Sequence, residues 1–198
     1  MKHEDLRVCF IGDSYVNGTS DPECLGWVGR VSVAARQKSY NLTSYNLGVR
    51  RETSTDIAKR WRQEVQPRFP SSCTPFVVFS FGVNDTTLEE GQPRVPESQS
   101  VGQTREILHL AKQIYTVTMI GPPPNADAEQ NLRTRRLSHL FAKVAETEGV
   151  PFLSVFDQLA EDTVWMSEVR TGDGAHPGAA GYARLATLVE AWPNWWFY

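Results

Sequence analysis

Apolar runs closed by glycine alternate along this chain with stretches in which apolar residues return every three or four positions. The first run, Leu6-Arg7-Val8-Cys9-Phe10-Ile11, ends at Gly12 and has the length and β-rich make-up of a buried strand. Trp27, Val28, Val31, Ala34 and Ala35 follow at helical spacing. The pattern then predicts a short strand from Thr43 to Leu47, closed by Gly48, and a helix carrying Ile57, Ala58, Trp61 and Val65 that stops before Pro67. Pro75 to Phe81 is the clearest strand, apolar at almost every position as a strand covered on both faces is, and it ends at Gly82. A helix with Val101, Ile107, Leu108, Ala111 and Ile114 leads to a fourth strand, Tyr115 to Ile120, stopped by Gly121 and Pro122-Pro123-Pro124. A long helix is predicted from Asp127 to Glu148, with Leu132, Leu137, Leu140, Phe141, Val144 and Ala145 facing inward. A fifth strand spans Val150 to Val155. The last helix runs from Pro177 to Ala191, with Pro177 in the first turn, where its missing N–H costs nothing.

Strands that alternate with helices, with no repeat and no linker, predict one α/β domain over residues 1–198. The expected architecture is a three-layer α/β/α sandwich around a flavodoxin-like, parallel five-stranded sheet of order 2-1-3-4-5. The formal charge of −3 gives no reason to expect nucleic acid as a partner. No apolar stretch approaches the roughly 20 residues of a membrane span, so no stable membrane insertion is expected. The opening Met1-Lys2-His3-Glu4-Asp5-Leu6 does not read as a signal peptide, and a cytoplasmic location is expected. Cys9, Cys24 and Cys73 have neither metal-ligand spacing nor a disulfide framework and read as reduced structural residues. Nothing in the sequence reports oligomeric state.

Four unusual loops follow predicted strands: Gly12-Asp13-Ser14, Gly48, Gly82-Val83-Asn84-Asp85, and Asp173-Gly174-Ala175-His176. In a parallel sheet the carboxyl ends of all strands lie on one side, and in the order 2-1-3 the first three loops meet at the switch point where such folds bind ligands. The residue types suit acyl transfer. Ser14 at a strand-to-helix turn projects into the crevice but needs a base to become a nucleophile. Of the four histidines, His3 lies in the terminus and His109 and His139 lie in helices, so His176 on its glycine-rich loop is the candidate base. Asp173, three residues earlier, is placed to meet the imidazole through a tight turn. Asn84 brings a side-chain NH₂ and Gly48 an unobstructed backbone N–H, both suited to holding an oxyanion.

These blocks resemble those of the SGNH or GDSL-like hydrolase family: Phe10-Ile11-Gly12-Asp13-Ser14, Tyr45-Asn46-Leu47-Gly48, Gly82-Val83-Asn84-Asp85 and Asp173-Gly174-Ala175-His176-Pro177, in the family's order. The resemblance implies an esterase or lipase of the carboxylic ester hydrolase class that acts on a small acyl ester or thioester. It implies Ser14 as nucleophile, His176 as base and Asp173 as its partner. It implies an oxyanion hole from Ser14, Gly48 and Asn84, and no cofactor or metal. Tyr15 departs from the leucine of the namesake motif. Asp13, Gly82 and Asp85 are expected to support the loops rather than react.

Two other readings compete. Asp13, Asn84, Asp85, Asp173 and His176 also make a set of oxygen and nitrogen ligands for a metal-dependent phosphoesterase. The fold alone would equally serve a catalytically silent carbohydrate-binding protein. The scarcity of loop histidines weighs against the first, and the intact Ser14, Asp173 and His176 set against the second. Residues 83–96 read as a long polar loop at the entrance, and the aromatic tail Trp192, Trp195, Trp196, Phe197 and Tyr198 as packing against the domain, with an oligomer contact or a lipid-facing patch as the alternatives.

Overall fold

In the computed structural model, residues 4–197 are described; Met1, Lys2, His3 and Tyr198 lie outside the described residues, and with them part of the N-terminal reading and the last tail aromatic. Strand β1 (Leu6–Gly12) is buried at every position except Arg7. It is the centre of a parallel sheet, paired on one side with β2 (Leu42–Gly48) and on the other with β3 (Thr74–Ser80). Two short strands, β4 (Leu88–Glu89) and β5 (Gln92–Pro93), form a separate antiparallel hairpin. Strands β6 (Thr116–Ile120) and β7 (Phe152–Leu153) then extend the main sheet to the order β2-β1-β3-β6-β7, which is 2-1-3-4-5 when its own five strands are counted.

Side chains alternate across β1, so Val8 and Phe10 enter one core and Cys9 and Ile11 the other. On the first face lie α2 (Gly26–Gln37), α7 (Thr163–Thr171) and α8 (Ala179–Ala191). Trp27 meets Phe10 edge to face at 5.5 Å, and Trp165, Tyr182, Trp195 and Phe197 fill the same layer. On the second face lie α3 (Ser54–Val65), α4 (Glu97–Ala111) and α5 (Ala128–Glu148). There Trp61 meets Phe79 at 5.7 Å, and Phe141 is fully buried. These are the three layers expected of the sandwich. The tail packs as expected: Trp195 and Phe197 are each 1% exposed against Phe10, Phe76 and Tyr40.

Several elements differ from expectation. Leu132 is 65% exposed on α5 rather than inward, because it lies off the stripe of Leu137, Phe141 and Val144 that meets the sheet. Helix α4 ends at Ala111, leaving Ile114 half exposed in the turn before β6. The fifth strand keeps ladder pairing only at Phe152 and Leu153. Pro177 precedes α8, whose cap is Gly178, so the proline lies just outside the first turn. The loop bearing Asp173 and His176 does not follow β7 directly, since α6 (Phe156–Glu161) and α7 intervene. The polar stretch at 83–96 is partly structured by the β4–β5 hairpin.

Candidate active site

Strand β1 ends where it must. A Cβ on Gly12 would lie 1.9 Å from the Ser80 carbonyl oxygen, so only glycine lets the chain turn there against β3. Asp13 then caps α1 (Ser14–Asn17), its Oδ1 accepting the Tyr15 N–H at 3.0 Å. Ser14 is thereby the first residue of a short helix, and no described acceptor takes its N–H. The other carboxylate oxygen of Asp13 is buried without a partner. Burial pushes this carboxyl up to about 7, with the nearby Asp85 charge adding to the effect. Asp13 thus caps the short helix that begins at Ser14.

Across the cleft, His176 Nε2 lies 2.7 Å from Ser14 Oγ, and His176 Nδ1 lies 2.7 Å from Asp173 Oδ2. Asp173 Oδ1 also accepts the backbone N–H groups of Ala175 at 2.9 Å and His176 at 2.7 Å, which closes the tight turn. Burial opposes ionisation of Asp173, but the hydrogen bonds from the His176 amide, its imidazole and the Ala175 amide outweigh it and lower the carboxyl to about 2. The imidazole therefore faces a carboxylate on one nitrogen and a hydroxyl on the other. Ser14 is 4% and His176 9% exposed, so this pair is shielded from bulk water.

Tyr15 holds this arrangement from behind. Its hydroxyl donates to the Ala175 carbonyl at 2.7 Å, its ring centroid is 5.0 Å from that of His176, and its other neighbour is the stacked indole of Trp165 at 6.3 Å. The Trp165 N–H donates in turn to the Pro124 carbonyl at 3.1 Å. Burial pushes the Tyr15 phenol well up, so the ring stays neutral and donates.

Asn84 opens a short 3₁₀ turn (Asn84–Thr86), and its Nδ2 donates one hydrogen to the Glu52 carbonyl at 2.9 Å, leaving the second free. Asp85 beside it accepts the Ser54 N–H at 2.8 Å, tying the start of α3 to this turn; burial pushes its carboxyl up. Gly82 links β3 to the turn. Gly48 is placed differently from its expected role. It packs against α1, where an added Cβ would lie 2.2 Å from the Asn17 amide nitrogen, and its own N–H is taken by Asn46 Oδ1 at 3.0 Å. The neighbouring residue that does line the cleft is Arg51, at a left-handed φ of 68° and with its N–H accepted by no described group.

The resulting cavity of about 240 Å³ is lined by Ser14, Tyr15, Asn84 and His176, with Arg50 and Arg51 at one side and Asn125 and Gln130 at the other. Gly12, Ser14, Asn84, Asp173 and His176 all lie within residues 10–184, the segment matched by the model of the GDSL-like Lipase/Acylhydrolase family. The chain belongs to this family. As a GDSL-like hydrolase it is a carboxylic ester hydrolase, and its fold recurs in solved relatives. A catalytic mutant of Axe2, an acetylxylan esterase from Geobacillus stearothermophilus, superposes with a TM-score of 0.76 at 18% identity over 95% of this chain and 94% of that one. LAE5, an alpha/beta hydrolase enzyme from the metagenome of Lake Arreo, Spain, gives 0.76 at 21% identity with the same coverage. The lipase/acylhydrolase from Enterococcus faecalis gives 0.72 at 24% identity over 93% of each chain. At such identities the likeness is one of fold. A search of curated proteins returned no match.

Among the described residues of this GDSL-like hydrolase, no group of three or more His, Cys, Asp or Glu side chains is arranged to hold a metal ion, and no helix is long and apolar enough to cross a membrane. His109 and His139 lie on the exposed faces of α4 and α5, and His109 faces Glu148. Sequence reasoning missed Arg50, Arg51, Asn125 and Gln130 as cavity residues. A sequence signal that could have marked the turn at residues 50–52 is the pair Thr53 and Asp56, which form a capping box where α3 begins.

Proposed function

We propose that this chain hydrolyses short acyl esters through an acyl-enzyme on Ser14. The observation that carries the proposal is the unbroken line from Asp173 through the imidazole of His176 to Ser14 Oγ, with 2.7 Å at each junction. In this reading Asp173 accepts the Nδ1–H, which leaves the Nε2 lone pair to take the Ser14 proton as Oγ attacks the carbonyl carbon. The imidazolium so formed is stabilised by the carboxylate and then protonates the leaving alcohol. Water activated by His176 resolves the acyl-enzyme by the same steps in reverse.

The developing oxyanion is met by the Ser14 N–H and the free hydrogen of Asn84 Nδ2. Gly48 cannot donate while Asn46 holds its amide, so the third donor in this reading is the free N–H of Arg51. The cavity of about 240 Å³ supports a short acyl group, being smaller than the roughly 300–1,000 Å³ of pockets for drug-sized ligands.

A series of 4-nitrophenyl esters of increasing acyl length, with intact-mass detection of the acyl group on Ser14, tests the proposal. Turnover should be greatest for the shortest acyl groups. Ser14→Ala should lose about 10³-fold or more in turnover with an unchanged melting temperature. Near-normal hydrolysis by that variant would reject Ser14 as the nucleophile.

A further inference from the structure

The chain as a whole is acidic, with a formal charge of −3, yet the wall of the catalytic cavity is basic. No carboxylate lines the cavity, while Arg50 and Arg51 both do. Arg50 has neither a hydrogen bond nor an ion pair with any described residue. Arg51 reaches only Glu89, at 3.5 Å, and that carboxylate is shared with Arg94 Nε at 3.1 Å. Glu52 is held by Arg60 at 2.6 Å and Asp173 by His176, and Asp13 and Asp85 are buried beneath the cleft rather than lining it. The cavity wall therefore carries two guanidiniums, of which only that of Arg51 has a carboxylate partner, and that partner is shared with Arg94.

The backbone makes the placement of Arg51 notable. Its φ of 68° is a conformation that glycine adopts freely and an L-residue rarely does. Arg94 Nη1 braces the turn by donating to the Arg51 carbonyl at 2.8 Å. A side chain is kept where none would be easier, and it is a cation at the mouth of the cleft.

We infer that Arg50 and Arg51 select an anionic ester: a short acyl ester that carries a carboxylate or phosphate close to the bond being cleaved. This inference rests on the ester-hydrolase reading of the same cavity. A guanidinium pairs with such groups through two parallel N–H donors. A cleft lined by one sign of charge also raises the local concentration of an oppositely charged substrate. The anion belongs to either the acyl or the alcohol part, and the test separates the two.

The experiment compares kcat/KM for two isosteric pairs, with background hydrolysis subtracted. Mono-4-nitrophenyl glutarate against 4-nitrophenyl glutaramate places the charge on the acyl side. 4-Acetoxybenzoate against 4-acetoxybenzamide places it on the alcohol side. In one pair the anionic member should be favoured roughly tenfold at low salt, the size expected of charge-assisted pairing at a partly exposed site, and the ratio should shrink as salt is added. Arg50→Gln and Arg51→Gln should each lower that ratio, the double variant should bring it close to one, and Arg50→Lys should keep most of it. Melting temperatures check that each variant is folded. Hydrolysis of both neutral esters with no charge preference in either pair, or a preference that survives in the double variant, overturns the anion selection alone. If Ser14 supports hydrolysis of none of the four esters, the parent reading falls with it.

Discussion

Removing the Tyr15 hydroxyl is the sharpest test of how this site is held together. Tyr15→Phe keeps the ring against His176 and Trp165 and deletes only the 2.7 Å bond to the Ala175 carbonyl. A hydrogen bond of this kind contributes about 1 kcal/mol net, and leaving its acceptor unpaired raises the loss to about 2 kcal/mol where the carbonyl is half buried, as Ala175 is. That carbonyl belongs to the turn that carries Asp173 and His176, so the loss falls on the docking of the proposed base, His176. Each 1.4 kcal/mol is tenfold in rate, which bounds the fall in kcat at roughly 30-fold. We expect kcat to drop by about 5- to 30-fold with KM changed less than about twofold, and urea unfolding to show a loss of about 1–2 kcal/mol. Tyr15→Leu, which also removes the ring, should fall further on both measures. If Tyr15→Phe is destabilised by the expected amount but turns over at the wild-type rate, the tether is structural only and Tyr15 does not position His176.

Asp173→Asn should reduce kcat by about 10²–10⁴-fold, because the amide no longer stabilises the imidazolium or enforces its tautomer; retention of activity within about threefold would remove Asp173 from the mechanism. In the wild type, the Asp173 carboxyl is lowered to about 2, so its contribution to stability is present above about pH 4 and is lost as the pH falls towards 2. Asp13 has the opposite sign. With its carboxyl pushed up to about 7, the folded protein keeps a proton that the unfolded chain has released, so stability falls as pH rises from about 4 to 7. Asp13→Asn, which keeps the oxygen acceptor for the Tyr15 N–H, should flatten that slope and gain up to about 4 kcal/mol relative to wild type at pH 7; parallel stability curves for the two proteins would refute this. Trp195→Ala empties a site that is 1% exposed beneath Phe10 and Phe197 and should cost about 3–5 kcal/mol in denaturant unfolding, whereas a cost below about 1 kcal/mol would mean that the tail does not seal this core.

The centre of the sheet was legible in the chain because β1 and β3 are near-continuous apolar runs that lead into glycine, a pattern read from consecutive residues. Pro75 to Phe81 shows this best: its structural counterpart β3 shifts by one residue at each end. The loops of Ser14 and Asn84 could be placed together for a related reason: each follows a strand, and a parallel sheet gathers such ends on one side. Asp173 and His176 lie between α7 and α8, and only their spacing of three residues pointed to a tight turn. The short helices α1, α6 and α7 were not legible, since one or two turns give too little periodicity to stand out from a loop.

What the amino-acid order decided by itself was the alternation of strand and helix, the two-sided burial of β1 and β3, and the identity of the groups able to do acyl chemistry. Which groups meet was decided only in three dimensions. Spacing cannot tell that the Gly48 amide is already taken by Asn46 while that of Arg51 is free, because an N–H is satisfied or not by whatever the folded chain brings within about 3 Å. Nor can it tell that Tyr15 braces Ala175, 160 residues away, or that Arg50 and Arg51 line a cavity in which no carboxylate stands. Contacts and charge pairing act through space, and only the packed chain determines which side chains share it.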